Sequence, residues 1–268
     1  MRAVFFLWVT LLFASCSPRF SDEYWEQYRY LGSIREESHL YPQFCGKEHY
    51  YLVVLVDARH LDYSSPEKYF STLGHGLFFS QEPLTGHAWI VLAGIRDGKS
   101  VVFEGGHTGE FGTVAPKYFD EVIRLSREEN DPNPAKYLFT MLPDGRLEPG
   151  AGGHTPTFAA AFPLTQEGYE RLNGLLQTYD FSRWSLTGPN CVRFARTCLS
   201  AIGVDIECRM TMTLPRSFRY GAMTVRLWSD TCYSSLTAET PEMLEFQLWE
   251  LVKNGSALVA KKWYKSRE

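Results

Sequence analysis

Beyond its first thirteen residues the chain has no run of eighteen apolar residues, so no second membrane-spanning helix is expected. It has no basic stretch interleaved with aromatics and a formal net charge of −4, which argues against nucleic acid as a partner. It has no Cys-x-x-Cys pair and no histidines at zinc-binding spacing, so neither a metal site nor a cofactor is expected. Internal repeats and low-complexity tracts are missing too, which excludes solenoids and long disordered arms.

What is present begins with a short export signal. Arg2 supplies a positive start, and Val4 to Phe13 is an apolar segment too short to span a bilayer comfortably. It ends in Phe13-Ala14-Ser15-Cys16, small residues before a cysteine, which resembles the lipobox of bacterial lipoproteins. Phe13 stands where leucine is usual. The resemblance implies a signal peptide over 1–16 and lipid, palmitate among its acyl groups, on Cys16. The mature chain would be anchored to the membrane surface of the cell envelope. Ser17 after Cys16 favours the outer membrane by the same resemblance.

About 250 residues remain, enough for one domain with an arm. The arm is expected over 17–48, with Tyr24, Trp25, Tyr28 and Tyr30 in a helical-looking run, and the domain over 49–268 with a helical C-terminal extension. Hydrophobic residues make up 44% of the chain, which supports a sizeable core. Tyr50 to Val56 is a continuous β-branched and apolar run, which predicts a buried strand. A second strand is predicted from His87 to Ala93, and a third from Val101 to Glu104, closed by Gly105-Gly106. Asp97-Gly98 between them is a tight hairpin turn. Helices are predicted from Thr165 to Tyr179, from Cys191 to Ile202 and from Thr237 to Lys253. Antiparallel strands in the first half and helices in the second give an α+β fold.

Six cysteines divide by context. Cys191 follows Gly188-Pro189-Asn190, a loop-to-helix junction in which Asn190 suits an N-cap. Cys191 would then be the first helical residue, where backbone N–H groups and the helix dipole favour a thiolate. Cys198, seven residues on in the same helix, is too far along it to bridge with Cys191. Cys208 with Cys232 is the expected pairing if a disulfide forms.

A thiol nucleophile needs a base. His87 opens an apolar strand after Gly86 and is the candidate. His60, His75, His107 and His154 are weaker ones, and His154 reads as loop within Gly-Ala-Gly-Gly-His. A third group usually orients the base, and Glu104 on the paired strand is the natural carboxylate. A two-residue turn at Asp97-Gly98, however, sets Glu104 opposite Val91. That is His87's face, but about 13 Å along the strand at ~3.3 Å per residue. A looser turn or a register shift of two to four residues would join them. His107 is the runner-up, though the tight turn puts it on the other face. For an oxyanion, the Cys191 N–H is the first donor, with Trp184, Ser185 or Tyr179 as candidates for a second. Asn190 and Trp184 are expected at the substrate-binding surface.

Gly86-His87-Ala88-Trp89-Ile90, Phe103-Glu104 and Asn190-Cys191-Val192-Arg193-Phe194, in that order, resemble the circularly permuted branch of the NlpC-type, papain-like superfamily. The lecithin:retinol acyltransferase-like and YiiX-like proteins belong to it. Glu104 departs from the histidine that many relatives carry. The resemblance covers roughly residues 50–205. It implies a papain-like antiparallel sheet packed against the cysteine-bearing helix. It also implies cysteine chemistry on amides or acyl esters, with Cys191, His87 and Glu104 as the catalytic set. The expectation is a cysteine peptidase or amidase of the cell envelope, acting on peptides of the peptidoglycan type. Acyl transfer or thioester hydrolysis on lipids, and an inactive binding lipoprotein, are the alternatives.

Overall fold

The computed structural model describes residues 37–60, 86–109, 128, 133–141, 143–220 and 223–267. The expected signal peptide, Cys16, most of the expected arm and His75 lie outside the described residues.

The strands and helices, in chain order, are β1 (Tyr51–Asp57), β2 (His87–Arg96), β3 (Lys99–Gly109), β4 (Gly145–Pro149) and β5 (Phe158–Pro163), then α1 (Gln166–Thr178) and α2 (Cys191–Ala201). They continue with β6 (Arg209–Thr213), β7 (Ser217–Tyr220), β8 (Met223–Arg226), β9 (Ser235–Glu239), α3 (Pro241–Lys253), β10 (Leu258–Val259) and α4 (Lys261–Lys265). Six strands form one sheet in the order β10-β5-β1-β2-β3-β4, and every pair in it is antiparallel. Two small hairpin-like pairs, β6 with β9 and β7 with β8, lie outside it. The fold is α+β, an antiparallel sheet packed against helices.

The continuous apolar run of β1 follows from burial on both faces of the sheet. On one face, Leu52, Val54, Val56, Ala88, Ile90 and Leu92 pack with α1, α2 and α3 through Leu172, Val192, Phe194, Leu244 and Leu248. We call this the helix face. On the far face, Val53, Leu55, Trp89 and Val91 are covered by Phe44, Ala260 and Tyr264. Alternation along β2 therefore sends 88, 90 and 92 to the helices, and 89 and 91 away from them.

The turn between β2 and β3 is as tight as Asp97-Gly98 predicts. Both residues have positive φ, 52° and 71°, and Arg96 is paired with Lys99. The third strand is longer than predicted and runs through Gly105-Gly106 to Gly109. Those glycines are strand residues because nothing larger fits. A Cβ on Gly105 would lie 2.9 Å from the Glu148 carbonyl, and one on Gly106 would lie 2.7 Å from His87 Nε2.

The third predicted helix starts later than expected. Leu236 and Ala238 alternate inward and pair with β6, so residues 235–239 are strand. The helix opens at Pro241, after the N-cap Thr240. The strands from β6 onward carried no signal long enough to read.

Cys45, Cys191, Cys198, Cys208 and Cys232 are all unpaired. The expected Cys208–Cys232 bridge is not formed, because Cys208 is inside the core and Cys232 is on the surface. Among the described residues, no helix is long and apolar enough to cross a membrane.

Gly94 on β2 faces Tyr169 of α1 so closely that a Cβ would lie 2.4 Å from a ring carbon. Gly94→Ala should therefore destabilise the fold by ~1–3 kcal/mol through overpacking. Urea unfolding would show this as a lower midpoint with an unchanged slope. A wild-type midpoint would mean that α1 does not dock on β2 in this way.

Candidate active site

The chemistry-bearing side chains gather where β1 ends, β2 begins and β3 closes. Cys191 is the first residue of α2. The preceding Asn190 caps the helix, its side-chain oxygen accepting from the Arg193 N–H at 2.9 Å. Its amide nitrogen donates to the carbonyls of Leu186 and Glu239 at 3.3 and 3.2 Å. Asn190 is thus buried and fully engaged in holding the helix start, not in contacting a substrate. The Glu239 carboxylate reaches back from β9 to Arg193 at 3.1 Å and Arg196 at 2.9 Å. Together these contacts fix the first turn of α2 against the sheet.

The half-buried Cys191 sulfur meets the backbone amides of Ala88, Val192 and Cys191 itself, which favour its thiolate. Burial works the other way and is larger. It pushes the thiol up to about 11, helped by the negative charge of Glu242 at the start of α3. The expectation of a partly ionised thiol is corrected on this point: the helix terminus is present, but removal from water outweighs it.

His87 lies one residue before the amide that meets the thiol, yet its ring is turned to the far face. It stacks on Trp89 with ring centres 5.9 Å apart and stands 4.8 Å from the His154 ring. It is buried, and its Nε2 has no hydrogen-bond partner among the described residues. Burial pushes the imidazole down to about 3, with His154 and His107 adding repulsion. The structure therefore brings Cys191 and His87 to the same end of the sheet, on opposite faces of β2.

Glu104 is brought to neither. It sits opposite Val91, as the tight-turn register requires, and its carboxylate accepts from Tyr264 Oη at 2.6 Å and Arg267 Nη2 at 3.3 Å. The register shift that would join it to His87 does not occur, because the type of turn at Asp97-Gly98 leaves no slack. In this arrangement it anchors the C-terminal helix and makes no contact with His87.

His107 is the imidazole on the thiol's own face. Its ring packs edge-on against Tyr179 and Phe181, which in turn pack on Phe194 of α2. Its Nδ1 lies 3.2 Å from Tyr179 Oη, while Nε2 is buried with no partner among the described residues. Burial lowers its proton affinity, and backbone groups of Arg183 and Phe181 partly counter that. Trp184 is buried against Gly109, in place of a Cβ, which sets it beside the end of β3.

Asp57 and Arg59, which the sequence did not single out, complete the cluster with His154. Asp57, the last residue of β1, is paired with His87 in the ladder. Its Oδ2 lies 2.7 Å from His154 Nδ1 and 2.7 Å from Arg59 Nη2. A lone carboxylate ending an otherwise apolar strand was the available signal. Among the described residues no group of three or more histidines, cysteines and carboxylates is arranged to hold a metal ion.

The geometry places a thiol on the first residue of α2, acted on by backbone N–H groups that include that of Ala88, with His87 beside Ala88 on the far face of β2 and His107 on the helix face of β3. Compared with family models, with curated proteins and with solved structures, the chain matches none.

Two outcomes follow from the Cys191 environment. Alkylation by iodoacetamide, followed by mass spectrometry in the absence of substrate, should be slow at neutral pH and climb with pH to a midpoint near about 11. The sign is that of an acid held neutral by burial, so reactivity appears only above its raised pKa. A midpoint at or below the ordinary ~8.5 would overturn this account. Asn190→Ala should cost ~0.5–2 kcal/mol of stability by loss of the cap, read as a lower unfolding midpoint.

Proposed function

We propose that the protein is a thiol-dependent hydrolase of amide bonds, with Cys191 as nucleophile and His87 as general base. The observation that carries the reading is the Cys191 sulfur at the N-terminus of α2, ringed by three backbone amides and adjoining the strand that begins with His87. The sulfur adds to the carbonyl carbon while its proton passes to the imidazole. The amides of Cys191, Val192 and Ala88 receive the developing oxyanion. The amine then leaves with the proton from the imidazolium, and water, deprotonated by the same imidazole, releases the acyl group from sulfur.

In the resting arrangement thiol and imidazole are both neutral and on opposite faces. Rotation about its first side-chain bond leaves the ring on the far face, so the reaction requires the start of β2 at Gly86-His87 to shift and bring the imidazole to the sulfur. The papain-like, permuted arrangement suggested by the resemblance is consistent with an antiparallel sheet against the cysteine-bearing helix. With the expected lipid anchor at Cys16, the natural amide substrates are peptides of the cell envelope, peptidoglycan stem peptides among them.

A second reading gives the base role to His107. One observation favours it: His107 already shares the thiol's face, oriented by Tyr179.

The experiment is acylation by p-nitrophenyl acetate, followed by intact-protein and peptide mass spectrometry. Wild type should acquire an acetyl group on Cys191 that turns over, and Cys191→Ser should not. His87→Ala should slow acylation by ~10²–10⁴-fold, the usual share of a general base, with His107→Ala close to wild type. Loss confined to His107→Ala would transfer the role to His107. No acetyl on Cys191 in wild type would end the hydrolase reading.

A further inference from the structure

We propose that Asp57 and His154 are positioning residues that hold the His87 imidazole away from the thiol, so that release of this hold precedes proton transfer. The inference rests on the reading of Cys191 and His87 as nucleophile and base, and concerns how that site is regulated.

The starting observation is that His87 is held rather than loose. Its ring packs with that of Trp89, nearly parallel at 12°, and with that of His154, tilted at 31°. Gly106 beneath it provides the room, since a Cβ there would lie 2.7 Å from Nε2. The contact surface is apolar ring against ring, and Nε2 gains no hydrogen bond in this position. The position therefore depends on the neighbouring rings and not on a bond made by His87 Nε2.

His154 keeps its place through Asp57. The carboxylate 2.7 Å from Nδ1 fixes the tautomer with the proton on Nδ1 and fixes the ring plane. Asp57 is tied to His87 independently, as its partner in the β1–β2 ladder. Arg59 on the same carboxylate oxygen keeps Asp57 directed at His154. The chain of contacts thus runs from the rigid end of β1, through a loop histidine, to the base on β2.

The charged and titratable groups around His87 agree with a holding role. Asp57 from β1 is already shared between Arg59 and His154, His107 approaches from β3, and Glu242 of α3 lies on the thiol's side. Among the described residues no carboxylate is hydrogen-bonded to the His87 ring, and its burial there disfavours an imidazolium. Movement towards the sulfur takes the ring away from His154 and towards the carboxylate of Glu242.

The test compares p-nitrophenyl acetate acylation of Cys191 in wild type, His154→Gln, His87→Ala and the double variant, with thermal unfolding of each. Glutamine can still donate to Asp57 but offers no ring. A ring contact of this kind is worth about threefold to tenfold in population, so His154→Gln should acylate faster than wild type by that factor. The gain should vanish in the His87→Ala background, because it acts through that residue. An unchanged or slower rate in His154→Gln would overturn the proposal. So would a gain that persists without His87, since that is the mark of a loosened site. Should His154→Gln not fold, Asp57→Asn removes the anchoring charge while leaving both rings, and must change the rate in the same direction. If His87→Ala leaves the wild-type rate unaltered, it is the assignment of the base that has failed.

Discussion

The two-residue turn at Asp97-Gly98 governs what happens at the opposite end of the sheet. With both turn residues at positive φ, Arg96 is locked opposite Lys99, and each following pair is determined in sequence. A slip by one residue would send every side chain of β3 to the wrong face. Because the register holds, His107 points towards α2 while Glu104 points to the C-terminal helix. The glycine at 106 is set where the His87 ring needs space. The chemistry of the site is in this sense decided about ten residues away from it, by a turn that touches none of its members.

The second determinant is the docking of α2. Its first turn is gripped from three directions: the Asn190 cap, the Glu239 carboxylate between Arg193 and Arg196, and the packing of Phe194 on Tyr179 and Phe181. A buried carboxylate between partly exposed guanidinium groups is a modest source of stability, since desolvation cancels much of its attraction. Its geometric effect is larger. It ties the helix start, and Cys191 with it, to β9.

Much of this was legible from residues alone, for identifiable reasons. The β1 run, the Asp97-Gly98 turn and the Asn190 cap are local signals, and they placed β1, the β2–β3 hairpin and the start of α2. Cys191 at a helix start followed from Gly188-Pro189-Asn190 in the same way. What was not legible depends on contacts between distant segments. Glu104 reads as a partner for His87 until Tyr264 and Arg267, some 160 residues on, are seen to occupy it. His154 reads as loop because its meaning comes from Asp57, 97 residues away. The direction of the Cys191 shift was also hidden, because helix-terminus chemistry is written in the local sequence and desolvation is written only in the packing.

Burial of Cys191 also bears on the redox chemistry of its sulfur. Peroxides and disulfides attack thiolates far faster than thiols, so sulfur oxidation follows the ionised fraction and the access of the oxidant. A cysteine kept protonated between a helix and a sheet presents little of either. The packing that makes Cys191 slow to ionise also preserves it as reduced sulfur. A thiol held this way stays reduced in surroundings where an exposed thiolate would be oxidised.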